Sequence, residues 1–126
     1  MALKILGAVV GHLPVSGLNI IGRGLGNIAY WLDLRHRRIV CQNITFVYPD
    51  WSPRQRCRLA KRVFQHFGIV FLEILQTPFL PRTKLVRRVR IEGQEILARA
   101  MAHPRGCLLY SAHLGNWELG LLGLSA

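Results

Sequence analysis

The sequence predicts an α/β protein, helix-rich and opening with membrane-associated helices. Three observations predict it. Ile5 to Gly22 runs without a charge. Ser52 to Leu75 has a capped start and apolar residues at helical spacing. Cys107 to Ala112, "CLLYSA", is a continuous apolar run between a turn and a helix start, the pattern of a buried parallel strand. Residues 1–32 then form an apolar arm. Residues 33–126 form a basic helical section that leads into the first part of an α/β domain, apparently truncated.

Composition narrows the function classes. The chain is 51% hydrophobic, yet 17 Lys and Arg face 6 Asp and Glu, a formal charge of +11. Its mean hydropathy is +0.24. Apolar and basic character together point to a membrane surface. A nucleic-acid module places aromatics among its charges, and here they sit mostly in apolar runs. Lys4 and Arg23 are the only cations before Asp33. If the arm enters a bilayer, the body after Asp33 is therefore expected on its cytoplasmic side. Cys41, Cys57 and Cys107 form no C-x-x-C pair and no zinc-ligand set. They read as small buried hydrophobes in a reducing compartment.

Taken in order, the arm comes first. Its uncharged run is near the lower limit for a spanning helix, while Pro14, His12 and several glycines weaken that reading. An in-plane interfacial helix and a helix pair buried in a core are the alternatives. A signal peptide fits poorly, because no small-residue cleavage site follows. Tyr30 and Trp31 stand where interfacial anchors stand. Arg35, Arg37 and Arg38 follow at once, placed to meet lipid headgroups, although a charge run is often just a solvated helix face.

Ser52-Pro53-Arg54-Gln55 then spells a helix start: a cap, a first-turn proline and a capping-box glutamine. Leu59, Val63, Phe64, Phe67, Phe71 and Ile74 recur at helical spacing, and Arg54, Arg58, Lys61 and Arg62 take the other face. Glu73 is the lone charge in "IVFLEIL" and needs a partner there, an arginine or a polar backbone group. Pro78 and Pro81 end the helix. Val89 to Ile91 reads as a short strand, Gln94 to His103 as a helix, and Pro104-Arg105-Gly106 as a turn.

"SAHLGNWELG", Ser111 to Gly120, carries the chemistry. His113 falls at the carboxyl end of the expected strand, where open α/β sheets bind ligands. Gly115 permits a tight approach. Asn116 suits a helix N-cap and puts Glu118 in the first turn, where a carboxylate complements the helix dipole. A carboxylate that orients an imidazole makes that imidazole a general base toward a hydroxyl. The spacing H-x-x-x-x-E alone is weakly specific, and a buried or capping histidine competes with this reading until the strand-to-helix setting is added.

The same stretch closely resembles the motif of the late acyltransferases of lipid A biosynthesis, the lauroyl and myristoyl transferases of Gram-negative bacteria. "LPVSGLNIIGRGLGNIAYWL" is similar to that family's N-terminal membrane segment, and "RRIVCQNITFVYPDWSPRQRCRLAKRVFQHFGIVFLEIL" to the block that follows it. "VRIEGQEIL" and "RGCLLYSAHLGNWE" resemble the approach to its motif, which in the wider glycerolipid acyltransferases usually has Asp in place of Glu118. The resemblance covers essentially all 126 residues. It implies a glycerolipid-acyltransferase-like α/β domain and acyl transfer from acyl carrier protein to a hydroxyl of a Kdo-bearing lipid A precursor, at the cytoplasmic face of the inner membrane. It implies His113 as general base and Glu118 as its partner, with Gly115, Asn116 and Trp117 shaping the site. The thioester supplies the activation, so no metal or bound cofactor is expected. The expected partners are acyl carrier protein, anionic lipid, the lipid A precursor and the membrane, with no nucleic acid. Two alternatives remain open: a general lysophospholipid or glycerolipid acyltransferase, and an inactive membrane-associated fragment. The family's later strands are missing here, so the chain reads as an N-terminal portion, inactive by itself.

The chain should fractionate with membranes, and deleting Met1 to Leu32 should move it partly to the soluble or aggregated fraction. Sedimentation of a low-salt lysate checks this, and an intact chain found wholly in the supernatant would overturn it.

Overall fold

The computed structural model of the protein describes residues 10–124. The first nine residues of the arm and the last two of the chain lie outside that range. The chain divides into two compact units, one ending at Phe79 and one starting at Leu80.

The first unit is three helices: α1 (Val15–Leu32), α2 (Leu34–Val47) and α3 (Pro53–Gln76), closed by a 3₁₀ turn over Thr77–Phe79. Each boundary has a local cause. Pro14 precedes α1 and cannot extend a helix backwards. Asp33 ends α1 and begins α2. Its carboxylate accepts the His36 backbone N–H at 3.0 Å and meets His36 Nδ1 at 2.6 Å. Those two bonds hold the Asp33 carboxyl below the usual carboxylate range. Ser52 and Gln55 form the complete capping box of α3, with Pro53 in its first turn. Between α2 and α3, Arg56 donates to the Pro49 carbonyl (2.6 Å) and the Thr45 hydroxyl (3.3 Å), and Tyr48 stacks on Trp51.

The core is the antiparallel seam between α1 and α3. Leu18, Gly22, Gly26 and Tyr30 of α1 are buried, as are Ala60, Phe64, Leu72 and Gln76 of α3. Both rows advance by four residues, the ridge that helices interdigitate most often. At the crossing the backbones touch. A Cβ on Gly22 would come within 2.6 Å of the Ile69 Cα. One on Gly26 would come within 2.3 Å of the Phe64 carbonyl oxygen, and one on Gly68 within 2.1 Å of the Gly22 carbonyl oxygen. Asn27 and Gln65 join across the seam at 2.8 Å. At its end the fully buried Gln76 amide donates to the carbonyls of Val10 (2.8 Å) and Leu13 (2.9 Å). A buried amide is stable only when paired in this way. Ile44 of α2 packs on Tyr30, Ala60 and Phe64.

The second unit holds three short helices, α4 (Arg82–Val86), α5 (Gln94–Met101) and α6 (Trp117–Leu124). Gly93, the N-cap of α5, has φ +79°. Gly123 packs on Val89, where an added Cβ would meet a side-chain carbon at 2.6 Å.

Four expectations are corrected. The described residues are helical with no strand: Val89–Ile91 and Cys107–Ala112 are irregular. In the second run Leu108 and Tyr110 are 94% and 97% exposed, because no neighbouring segment pairs its backbone. No helix of the described residues is long and apolar enough to cross a membrane, and α1 instead forms a packed pair with α3. Tyr30 faces the core rather than an interface, 8% exposed against 64% for Trp31. Its phenol is pushed above its ordinary value by burial. Of the cysteines expected inside, Cys41 is half-buried, while Cys57 and Cys107 are exposed.

Two glycine substitutions test the seam. Gly26→Ala should destabilise by about 1–3 kcal/mol, since the backbones must part. Gly24→Ala, with nothing within 4 Å of its Cβ, should stabilise by about 0.5–1 kcal/mol. Thermal melts followed by circular dichroism check both signs.

Candidate active site

The segment from Ser111 to Gly120 turns sharply before α6. The Leu114 N–H reaches the Ala112 carbonyl at 2.8 Å, closing a three-residue turn around His113. Gly115 follows with φ +58°, a left-handed conformation that glycine adopts without strain. No atom lies within 4 Å of where its Cβ would stand, so the requirement there is conformational and not steric. Asn116 is the N-cap: its Oδ1 accepts the Leu119 N–H at 3.1 Å, and its carbonyl accepts the Gly120 N–H at 3.2 Å. Trp117 and Glu118 occupy the first turn.

The turn brings His113 and Trp117 together, their rings 4.5 Å apart and tilted by 54°. His113 is exposed and Glu118 half-buried. They share the corner that precedes α6, but no hydrogen bond or ion pair joins them among the described residues. Glu118 is at the positive end of the α6 dipole.

In the first unit, the residues expected to meet lipid divide by role. The Arg37 guanidinium lies 5.3 Å from the Tyr30 ring centre and 5.9 Å from that of Trp31. Its Nη1 donates to the Tyr30 carbonyl at 3.4 Å, so Arg37 clasps the end of α1. Arg35, Arg38 and Trp31 project outward. Beside them an apolar groove of about 540 Å³ opens between the three helices, lined by Leu25, Ala29, Ile39, Val63, Phe67 and Phe71. Its polar wall is the Asp33–His36 pair. The sequence reading passed over both features. The signal for the first was Gly22-x-x-x-Gly26 in an apolar helix, which announces a close helix contact and hence a fixed groove. The signal for the second was an aspartate three residues before a histidine at a helix start.

The family model for bacterial lipid A biosynthesis acyltransferases matches residues 2–126. The chain belongs to this family. It is 29% identical over 112 residues to the lipid A biosynthesis lauroyltransferase of Escherichia coli K12, covering 89% of this chain and 37% of that protein. It is 26% identical over 109 residues to the palmitoleoyltransferase of the same strain, and equally to a lipid A biosynthesis acyltransferase of Shigella flexneri, covering 86% of this chain and 36% of each. The chain thus spans little more than a third of the length of the curated relatives it matches. No solved structure matches it.

Asn116→Ala should remove the cap of α6 at a cost of about 1 kcal/mol. Amide exchange at Leu119 should quicken while amides in α1 keep their protection, a contrast that hydrogen-exchange spectroscopy reads directly.

Proposed function

We propose that the protein takes part in transferring a fatty acyl chain from acyl carrier protein to a hydroxyl of a Kdo-bearing lipid A precursor, at the cytoplasmic face of the inner membrane. Membership of the lipid A acyltransferase family over residues 2–126 carries this reading. In it, His113 removes the proton of the acceptor hydroxyl as the oxygen attacks the thioester carbonyl. The C–O bond forms, the C–S bond breaks, and the proton leaves with the carrier thiol. Glu118 orients the imidazole and stabilises its positive charge.

Three observations on local geometry support these roles. His113 is exposed on a turn fixed by the left-handed Gly115 and the Asn116 cap. Trp117 gives the imidazole an aromatic wall at 4.5 Å. Glu118 sits in the first turn of the helix that follows, where a carboxylate complements the helix dipole. In the first unit the groove beside Phe67 and Phe71, with the exposed Ile28, Leu32 and Trp31, is read as the face that enters the lipid surface, with Arg35 and Arg38 at headgroup level.

A hydroxyl ionises far above neutral pH, so the step needs a positioned base, worth about 10²–10⁴ in rate. His113→Ala should lose that factor and keep membrane association. Glu118→Gln should be severely impaired, and Glu118→Asp should retain more activity than Gln because charge is kept. The readout is labelled acyl chain moving from carrier protein to lipid A precursor. Full activity in His113→Ala would overturn the mechanism.

A further inference from the structure

The α1–α3 seam separates two unlike surfaces. On one side lies the apolar groove with Leu25, Phe67 and Phe71. On the other, Arg23 of α1 and Arg62 and His66 of α3 converge on a depression of about 380 Å³, whose floor holds Gln65 in its bond to Asn27. Arg62 also borders a smaller hollow of about 170 Å³ shared with Trp51, Leu59 and Arg58. The two hollows therefore form one surface along α3, hinged on Arg62.

Its charge is predominantly positive. Arg54, Arg58 and Arg62 follow one another at intervals of four, with Lys61 beside them, and like charges at that spacing repel. No acidic residue occurs in α1, and the single one in α3, Glu73, is three turns away from Arg62. Among the described residues, His36 pairs with Asp33 and Arg90 with Glu92, both away from this run of cations. Asp50 is the one acid within ten residues of this run in the sequence, so these four cations face a single carboxylate and suit an external counter-charge.

We propose that this face, Arg58 and Arg62 at the Trp51–Leu59 hollow with Arg54 one turn earlier and Arg23 at the adjoining depression, docks a protein with a carboxylate-rich surface. In the reaction proposed above, on which this inference rests, that protein is the acyl carrier. Cations at the rim steer an acidic partner, and a half-buried tryptophan beside a leucine supplies the apolar anchor that a protein interface needs. An anionic bilayer fits the face less well. Arg58 and Arg62 stand roughly 140–180° around α3 from Phe67, so a flat surface that takes in the apolar groove leaves the basic face turned away from it.

The test compares the chain with an Arg54→Gln/Arg58→Gln/Arg62→Gln variant, since glutamine keeps helix propensity and removes only the charge. Binding to acyl carrier protein is measured by calorimetry at low and moderate salt. Binding to vesicles of phosphatidylethanolamine and phosphatidylglycerol is measured by co-sedimentation. Circular dichroism should show equal helicity, with Tm unchanged or raised as repulsion is relieved. The expected result is carrier binding that weakens with salt and falls at least tenfold in the variant, with vesicle binding altered less than twofold. Trp51→Ala should weaken carrier binding without changing its salt dependence. Equal carrier binding by the chain and the variant would overturn the docking surface and leave the donor assignment standing. No carrier binding by the unsubstituted chain would overturn both. A tenfold loss of vesicle binding with carrier binding intact would give the face to the membrane and overturn the proposal.

Discussion

Three glycines set the architecture of the first unit. Where Gly22 and Gly26 of α1 meet Gly68 of α3, the backbones are too close for any Cβ. Contact of this kind brings peptide groups of the two helices into dispersion range and permits Cα–H···O contacts that larger residues would block. It also fixes register. Leu18 packs with Leu72 at one end of the seam, and Tyr30 with Ala60 and Phe64 at the other. Everything exposed then follows from which side of the seam a residue falls on. Leu25 and Phe67 lie on one side, Arg23 and Arg62 on the other. A shift of one residue along either helix would mix the two surfaces.

Helix starts were legible in the sequence because they depend on neighbours in the chain. The Ser52–Gln55 capping box and the Asn116 cap form as their residues predict. The end of the long helix before Pro78 and the helix from Gln94 follow for the same reason. Strands were misread because a strand is a relation between segments. "CLLYSA" has the composition of a buried strand, but composition supplies no hydrogen-bonding neighbour, and its side chains stand in solvent. The glycines of the arm were read as weakening a membrane span, and the helix contact that they mark was not read from them. Intrinsic propensity and packing point in opposite directions at such positions, and packing prevails once a partner glycine is present on α3.

At the candidate site the sequence located the corner and the residue types, and the fold explains what holds them. Gly115 and Asn116 are both conformational devices: one turns the chain, the other starts the helix. The proposed base and its partner on either side, His113 and Glu118, form neither the turn nor the cap. Trp117 is the part of the corner in contact with the imidazole. A general base on an exposed turn draws its power from what closes over it, because exclusion of water strengthens both the hydrogen bond to an acceptor hydroxyl and the attraction of an imidazolium for its carboxylate.

The chemistry proposed for the family member joins two phases. Its acyl donor is carried by a water-soluble protein and its acceptor is an amphiphile held in a bilayer. A surface that met both partners through one mixed apolar and basic patch would let anionic lipid compete for the cations needed by the donor. Segregating the two characters on opposite sides of one helix removes that competition. Phe67 and Phe71 stay with the apolar groove, and Arg58 and Arg62 stay available to solvent. The glycine seam makes the segregation possible, because a helix pair in backbone contact has little freedom to roll and exchange one face for the other.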